Sequence, residues 1–107
     1  MEGLEMISFQ IISCVGSAKS MYIEAAMAAQ NYDFEKAESL IKEGEEIFLK
    51  GHEAHASLIQ KEASGEPVTP NILLMHAEDQ LMAAENFKAF AEQQIIIFKK
   101  FQVLENK

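Results

Sequence analysis

The chain has 107 residues, of which 49% are apolar and 24% charged, values typical of one small globular domain with a single core. Its formal charge is −8, from 9 Lys+Arg against 17 Asp+Glu. No basic patch is present to neutralise a nucleic acid or an anionic membrane surface. The composition therefore excludes those two classes of partner.

Cysteine use and the N-terminus bear on the compartment. Cys14 is the only cysteine, which excludes an internal disulfide and suits a reducing cytosol. The first five residues contain two glutamates, whereas a signal peptide would begin with basic residues. The apolar segment 6–15 is too short, and too interrupted by polar residues, to span a bilayer. We therefore expect a cytoplasmic protein without direct membrane insertion.

Two helices are predicted in the first part of the chain, over about residues 3–31 and 34–62. In both, apolar residues recur every three or four positions and form a stripe. The first stripe contains Leu4, Ile7, Ile11, Cys14, Ala18, Met21, Ala25 and Ala28. Asp33 is a suitable N-cap for the second helix. Gly44 and Gly51 share the second stripe, where a missing side chain lets a neighbouring helix approach closely.

The third helix is predicted over about residues 70–104, with Thr69 as N-cap and Pro70 at the first helical position. It has three faces. One is a polar strip of Glu78, Glu85, Glu92 and Lys99. The second is apolar and faces the other helices; it contains Ala77, Leu81, Ala84, Ala91, Ile95 and Phe98. The third, which we call the outer face, contains Ile72, Met75, Asp79, Met82, Ala83, Asn86, Phe90, Gln93 and Ile97.

The outer face is mostly apolar, and a monomer of three helices would leave it exposed as an unusually large patch. The chain has no spare length for a fourth helix to cover it. We therefore predict an all-α fold, an antiparallel three-helix bundle forming a single domain over residues 1–107, which associates with its own copies through the third helix.

Asp79 is the one carboxylate on the outer face. Around a symmetry axis its copies would converge, and like charges repel strongly at short range unless a cation or protonation intervenes. Oxygen ligands favour a hard ion such as Mg²⁺. Instead of binding a cation, the Asp79 carboxylate could pair locally with Gln80, Asn86 or Lys88, or it could simply face solvent.

His76 lies about 60° around the helix from Asp79, at the edge of the outer face. A histidine there can titrate, bind a metal or carry a phosphoryl group. The alternative is a core or rim histidine that makes one structural hydrogen bond. His52 and His55 are three residues apart and miss the four-residue spacing of the HExxH zinc motif, so a hydrolytic zinc site is not expected.

The motif His76-Ala-Glu-Asp-Gln-Leu-Met82 on a long helix resembles the enzyme IIA component of the lactose/cellobiose class of the bacterial sugar phosphotransferase system. Segments 28–34, 58–66 and 73–79 are also similar to that family, in the same order and spacing. The resemblance covers nearly the whole chain.

The resemblance implies a homotrimer of three-helix subunits. It implies that His76 accepts a phosphoryl group, as a tele-phosphohistidine, from the phosphocarrier protein HPr and passes it to a cysteine of the IIB component. The IIC transporter would then import a β-linked disaccharide such as lactose, cellobiose or chitobiose. The resemblance further implies that the three copies of Asp79 hold one Mg²⁺ on the trimer axis.

Three positions depart from the usual family pattern. Gln80 replaces a common second histidine, so the help that this neighbour would give to the phosphoryl group is open. Tyr32 occupies a turn position that is commonly glycine, and His55 stands where glutamine is common, whereas His52 matches a family histidine. Gln80 and His52 are possible accessory residues.

Two other functional hypotheses come from different classes. One is a two-component histidine phosphotransfer domain, although those usually follow their histidine with a Lys-Gly pair that is absent here. The other is a non-catalytic trimeric interaction module in which His76 and Asp79 only set the register of assembly.

Overall fold

The computed structural model describes residues 3–107, and within them it contains three α-helices and no strand. The helices are α1 (Gly3–Gln30), α2 (Phe34–Ala63) and α3 (Ile72–Glu105). These bounds agree with the predicted ranges to within two residues, which confirms the all-α prediction. Met1 and Glu2, part of the acidic start of the chain, lie outside the described residues.

The caps of α2 and α3 test two predictions about where helices begin. The Asp33 side chain accepts a hydrogen bond from the Lys36 amide at 3.2 Å, as predicted. The prediction of Thr69 as the cap of α3 is wrong, because the Asn71 side chain accepts from the Leu74 amide at 2.8 Å. Asn is at least as good a cap as Thr, and here it begins the helix two residues later. Pro70 consequently precedes the helix.

The turn after α1 explains how Tyr32 fits a position typical of glycine. Tyr32 has φ 61°, in the left-handed region, where a non-glycine residue costs about 1–2 kcal/mol. The Asp33 amide donates to the Ala28 carbonyl at 2.9 Å and the Tyr32 amide to the Ala29 carbonyl at 3.0 Å, so this turn gives two carbonyls at the end of α1 a hydrogen-bond partner. The Tyr32 ring also lies 6.1 Å from that of Phe34, a contact that offsets part of the cost.

Contacts between helices show that consecutive helices are antiparallel. Gly44 of α2 lies against Tyr22 of α1, and Gly51 lies against Val15, so the numbering falls in one helix as it rises in the other. Three polar pairs show the same relation between α2 and α3. They are His55–Glu78 at 2.8 Å, Glu45–Lys88 at 3.2 Å and Glu38–Lys99 at 3.3 Å.

Helix α1 is the centre of the bundle and packs closely against both other helices, whereas α2 and α3 touch each other much less. The predicted stripe of α1 is buried or half-buried throughout. A second set of buried residues, seven apart, runs beside it: Ser8, Val15, Tyr22 and Ala29. Alanines form much of the core and allow the helix axes to come close.

The two glycines of α2 make that close approach possible. A Cβ added to Gly44 would lie 2.8 Å from Cε1 of Tyr22, and one added to Gly51 would lie 2.9 Å from Cγ1 of Val15. Both neighbours are fully buried, so neither can move aside easily. The prediction of close helix packing at these glycines is confirmed.

No helix within residues 3–107 combines the length and the apolar character that crossing a membrane requires.

We expect Gly44→Ala and Gly51→Ala each to lower the free energy of unfolding by about 1–2 kcal/mol. The added methyl group overpacks the contact, at a cost of about 1–3 kcal/mol, and this outweighs the gain in helix propensity of about 1 kcal/mol. Gly16→Ala is the control, because its Cβ would meet nothing within 4 Å and should instead add stability. Urea unfolding at one protein concentration measures all three; stabilisation by Gly44→Ala would contradict the close approach.

Candidate functional site

His76 lies in the second turn of α3 and its residue is exposed. The Asn71 cap fixes the start of this helix and so the position of the histidine. Within residues 3–107 the His76 ring makes no hydrogen bond and no ion pair, in contrast to His55, which bonds to Glu78. The single chain therefore does not place His76 in the core, and no described residue of its own chain supplies the structural hydrogen bond of the alternative.

The outer face of α3 is exposed in the single chain, as the sequence predicted. Ile72 is 86% exposed, Met75 60% and Met82 56%, and Phe90 and Ile97 are also exposed. Exposed apolar side chains that share one face of a helix are typical of a surface that contacts another protein. His76 lies at the edge of this row.

Asp79 is the charged residue of the outer face and is also exposed. Its carboxylate has no partner among the described residues, so the predicted alternative of a local pairing is not observed. Lys88 instead pairs with Glu45 across the α2–α3 boundary. In the single chain Asp79 therefore faces solvent, which is the second of the predicted alternatives.

A metal site within one copy is not present in the described part of the chain. Across residues 3–107 no three His, Cys, Asp or Glu side chains come close enough to hold an ion. Asp79 accordingly belongs to no such cluster within its own chain.

The two possible accessory residues lie in different places. Gln80 is half-buried on α3, one turn after His76. His52 is exposed on α2 and lines a groove together with Glu85 of α3. Glu85 is nine residues after His76, which places it about 14 Å further along α3 and on the opposite side of that helix. A single chain does not bring His52 to His76, and its accessory role stays a prediction that needs a second copy.

That groove, which we call the α2–α3 groove, has a volume of about 330 Å³. Tyr22 of α1 reaches it from the core, Glu85 and Lys88 line it from α3, and the α2 side consists of Glu45, Phe48, Leu49 and His52. It exists because α2 and α3 pack on α1 more closely than on each other. The sequence prediction missed Tyr22, although its spacing of seven from Val15 and Ala29 was a signal.

The Tyr22 side chain has an unusual environment. The residue is 1% exposed, and its hydroxyl has no hydrogen-bond partner among residues 3–107. Burial raises the pKa of Tyr22 to about 12, and the nearby carboxylates of Glu45 and Glu92 contribute to that rise. The hydroxyl therefore keeps its proton throughout the physiological range.

The family model described as the lactose/cellobiose-specific IIA subunit of the PTS matches residues 6–99. The chain belongs to this family. The predicted resemblance is thereby confirmed, and the chain is a component of the sugar phosphotransferase system.

Individual relatives support the same assignment. The lactose-specific EIIA component of Staphylococcus aureus is 34% identical over 99 residues, which cover 92% of this chain and 96% of that protein. The oligo-β-mannoside-specific EIIA component of Bacillus subtilis is 37% identical over 95 residues, which cover 89% and 86%. The crystal structure of the cellobiose-specific enzyme IIA from Bacillus anthracis has a TM-score of 0.92 at 34% identity and covers 96% of this chain and 94% of that one.

Two of the three departures from the usual IIA pattern have a structural account. Tyr32 takes the left-handed conformation of the turn directly. His55 Nε2 lies 2.8 Å from a carboxylate oxygen of Glu78 and links α2 to α3 two residues beyond His76. Gln80 makes no side-chain hydrogen bond with the described residues, and nothing in the structure explains the change.

We expect the stability of this IIA protein to fall between pH 10 and 12, and to fall less steeply in the Tyr22→Phe variant. The folded pKa of Tyr22, about 12, lies above the unfolded value near 10, so the folded state holds the proton more tightly. The contribution of Tyr22 to the free energy of unfolding is therefore complete below pH 10, and it is lost as the pH rises through the folded pKa of Tyr22. Urea unfolding at steps of pH measures it; equal slopes for the two proteins would contradict this assignment.

Proposed function

We propose that His76 is the phosphoryl acceptor of this IIA component. It receives the group on Nε2 from phosphorylated HPr and passes it to the cysteine of the IIB component. The observation that carries the proposal is an exposed histidine, without a partner in its own chain, on the capped helix of a family member. The family match favours this function over the two-component phosphotransfer domain.

The chemistry needs a nucleophile and a leaving group of similar strength. The lone pair of a neutral imidazole nitrogen attacks phosphorus, a new N–P bond forms, and the bond from phosphorus to the donor breaks. In the second step the IIB thiolate attacks, an S–P bond forms and the N–P bond breaks. Because no carbon skeleton changes, catalysis consists of positioning and charge stabilisation.

The charge stabilisation has to come largely from outside this chain. Between Lys61 and Lys88 the sequence contains no Lys or Arg, and the chain has no arginine at all. A phosphoryl group on His76 would bring about two further negative charges to a protein whose net charge is already −8. We infer that HPr and IIB supply the cationic groups, which also favours association with them.

We further propose that the chain forms a homotrimer through the outer faces of α3. Burial of the exposed apolar row would stabilise the assembly, and the three copies of Asp79 would meet within it. Those carboxylates would hold one Mg²⁺, whose charge offsets their repulsion. The role of the ion is structural, and the phosphoryl transfer at His76 proceeds without it as a participant.

The transported substrate is proposed to be a β-linked disaccharide such as lactose, cellobiose or chitobiose. Similar relatives are named for lactose, cellobiose and oligo-β-mannoside at 34–37% identity. Selection among these sugars belongs to the membrane IIC component, which IIA reaches only through IIB. The protein acts in the cytoplasm, where HPr and IIB are available.

We expect phosphorylation by phosphoenolpyruvate, enzyme I and HPr to be lost in His76→Gln, because the substitution removes the nucleophilic nitrogen. His55→Gln is a matched control, since it removes an imidazole that is already bonded to Glu78. Radiolabel transfer followed by acid treatment measures the result. A single acid-labile phosphorylation that persists in His76→Gln would contradict the proposal and favour the non-catalytic module.

We expect Asp79→Leu to strengthen the trimer in metal-free buffer, lowering its dissociation concentration by about tenfold or more, because converging charges are replaced by an apolar contact. Added Mg²⁺ should strengthen the wild-type trimer and leave the variant unchanged. Sedimentation equilibrium measures both effects, with Glu46→Leu on the exposed side of α2 as control. A weaker trimer of Asp79→Leu without metal would show that Asp79 is not axial.

A further inference from the structure

The α2–α3 groove has features of a binding site and lies away from the His76 of its own chain. Its lining combines a buried phenol, two carboxylates, an ammonium group and two aromatic rings. Its volume of about 330 Å³ falls at the lower end of the range of about 300–1,000 Å³ for small ligand sites. The groove is therefore large enough for one side chain or a small organic group.

The Tyr22 hydroxyl is the first indication of a missing ligand. It is buried and has no hydrogen-bond partner among residues 3–107, although buried polar atoms are nearly always bonded. Gly44 fixes the ring, since even an added methyl group there would strike Cε1. The ring therefore holds its position at the inner wall of the groove, where a ligand could offer the hydroxyl a partner.

The charges of the lining define which ligands fit. Glu45 and Lys88 neutralise each other at 3.2 Å, whereas Glu85 has no ion pair within the described residues. The groove therefore has an excess of negative charge, which disfavours a phosphate or another anion. A bare metal ion is also a poor fit, because residues 3–107 contain no cluster of three suitable ligands.

The aromatic part of the lining favours a planar cation. The rings of Phe48 and His52 are stacked, with an interplanar angle of 24° and centroids 6.2 Å apart. His52 is exposed, so its ring is open to contact at the mouth of the groove. A guanidinium group stacks on such rings and forms paired hydrogen bonds with a carboxylate, whereas an ammonium group does neither as well.

We propose that the α2–α3 groove is a docking pocket for an arginine side chain of a protein partner. The guanidinium group donates to the Glu85 carboxylate and to the Tyr22 oxygen and lies against the Phe48–His52 pair. A second copy of this chain cannot be the donor, because the sequence contains no arginine. The partner is thus a different protein with a basic surface, matched to a chain of charge −8.

The test is a titration of the full chain with N-acetyl-arginine amide, followed by ¹H–¹⁵N NMR. We expect shifts at Leu49, Glu85 and Tyr22 with a dissociation constant on the order of millimolar, since an isolated residue makes few contacts. N-acetyl-citrulline amide, which has nearly the same shape without the charge, should produce no such shifts. N-acetyl-lysine amide should bind several-fold more weakly.

Variants assign the effect to the groove. Glu85→Gln should weaken binding about tenfold, because a charge-assisted hydrogen bond becomes a neutral one. Glu46→Gln removes the same charge from an exposed residue outside the groove and should leave the affinity within about twofold. Tyr22→Phe should weaken binding a few-fold without loss of folding, since the hydroxyl it removes is unbonded in the free chain.

The proposal is overturned if no shifts occur in the groove, or if citrulline or lysine binds as well as arginine. It is also overturned if Glu46→Gln weakens binding as much as Glu85→Gln, which would show general attraction to an acidic surface. None of these measurements uses a phosphoryl group. Their outcome is therefore independent of whether His76 is the acceptor.

Discussion

The close packing of α1 against α2 is the contact on which the rest of the structure depends. Gly44 and Gly51 present bare backbone to Tyr22 and Val15, and alanines let α3 approach the other side of α1. Because both outer helices are drawn onto α1, they do not close on each other. The bundle thus has a dense core around α1 and an open α2–α3 boundary, crossed by polar pairs rather than by apolar packing.

That arrangement gives α3 three surfaces with different roles. Its buried side stabilises the fold, its polar strip faces α2, and its outer face remains in solvent with His76 at one edge. Under the proposed function, phosphoryl transfer and assembly would use different sides of this one helix. In the proposed trimer, Asp79 would lie within the apolar contact while His76 stays at its edge, where partner proteins can reach it.

The helices themselves were predictable because their signals are local. Apolar spacing and the Asp33 cap depend only on neighbouring residues. The start of α3 was misplaced because proline is favoured at the first helical position, which pointed to Thr69 before Pro70, whereas the helix begins after Asn71, a stronger cap two residues later. The family was also predictable, since the motif around His76 is specific and occurs on a helix of the right length.

The α2–α3 groove could not be predicted, because it depends on how three helices share their space. By itself the sequence determined the fold class, the outer face of α3 and the two residues, His76 and Asp79, that stand out on or beside it. Periodicity assigns residues to faces of one helix. Only the tertiary structure decided that Tyr22 is buried with an unbonded hydroxyl and that His52 lies with Glu85, away from the His76 of its own chain. Both contacts join residues that are distant in sequence. They exist because α2 and α3 pack closely on α1 and only loosely on each other.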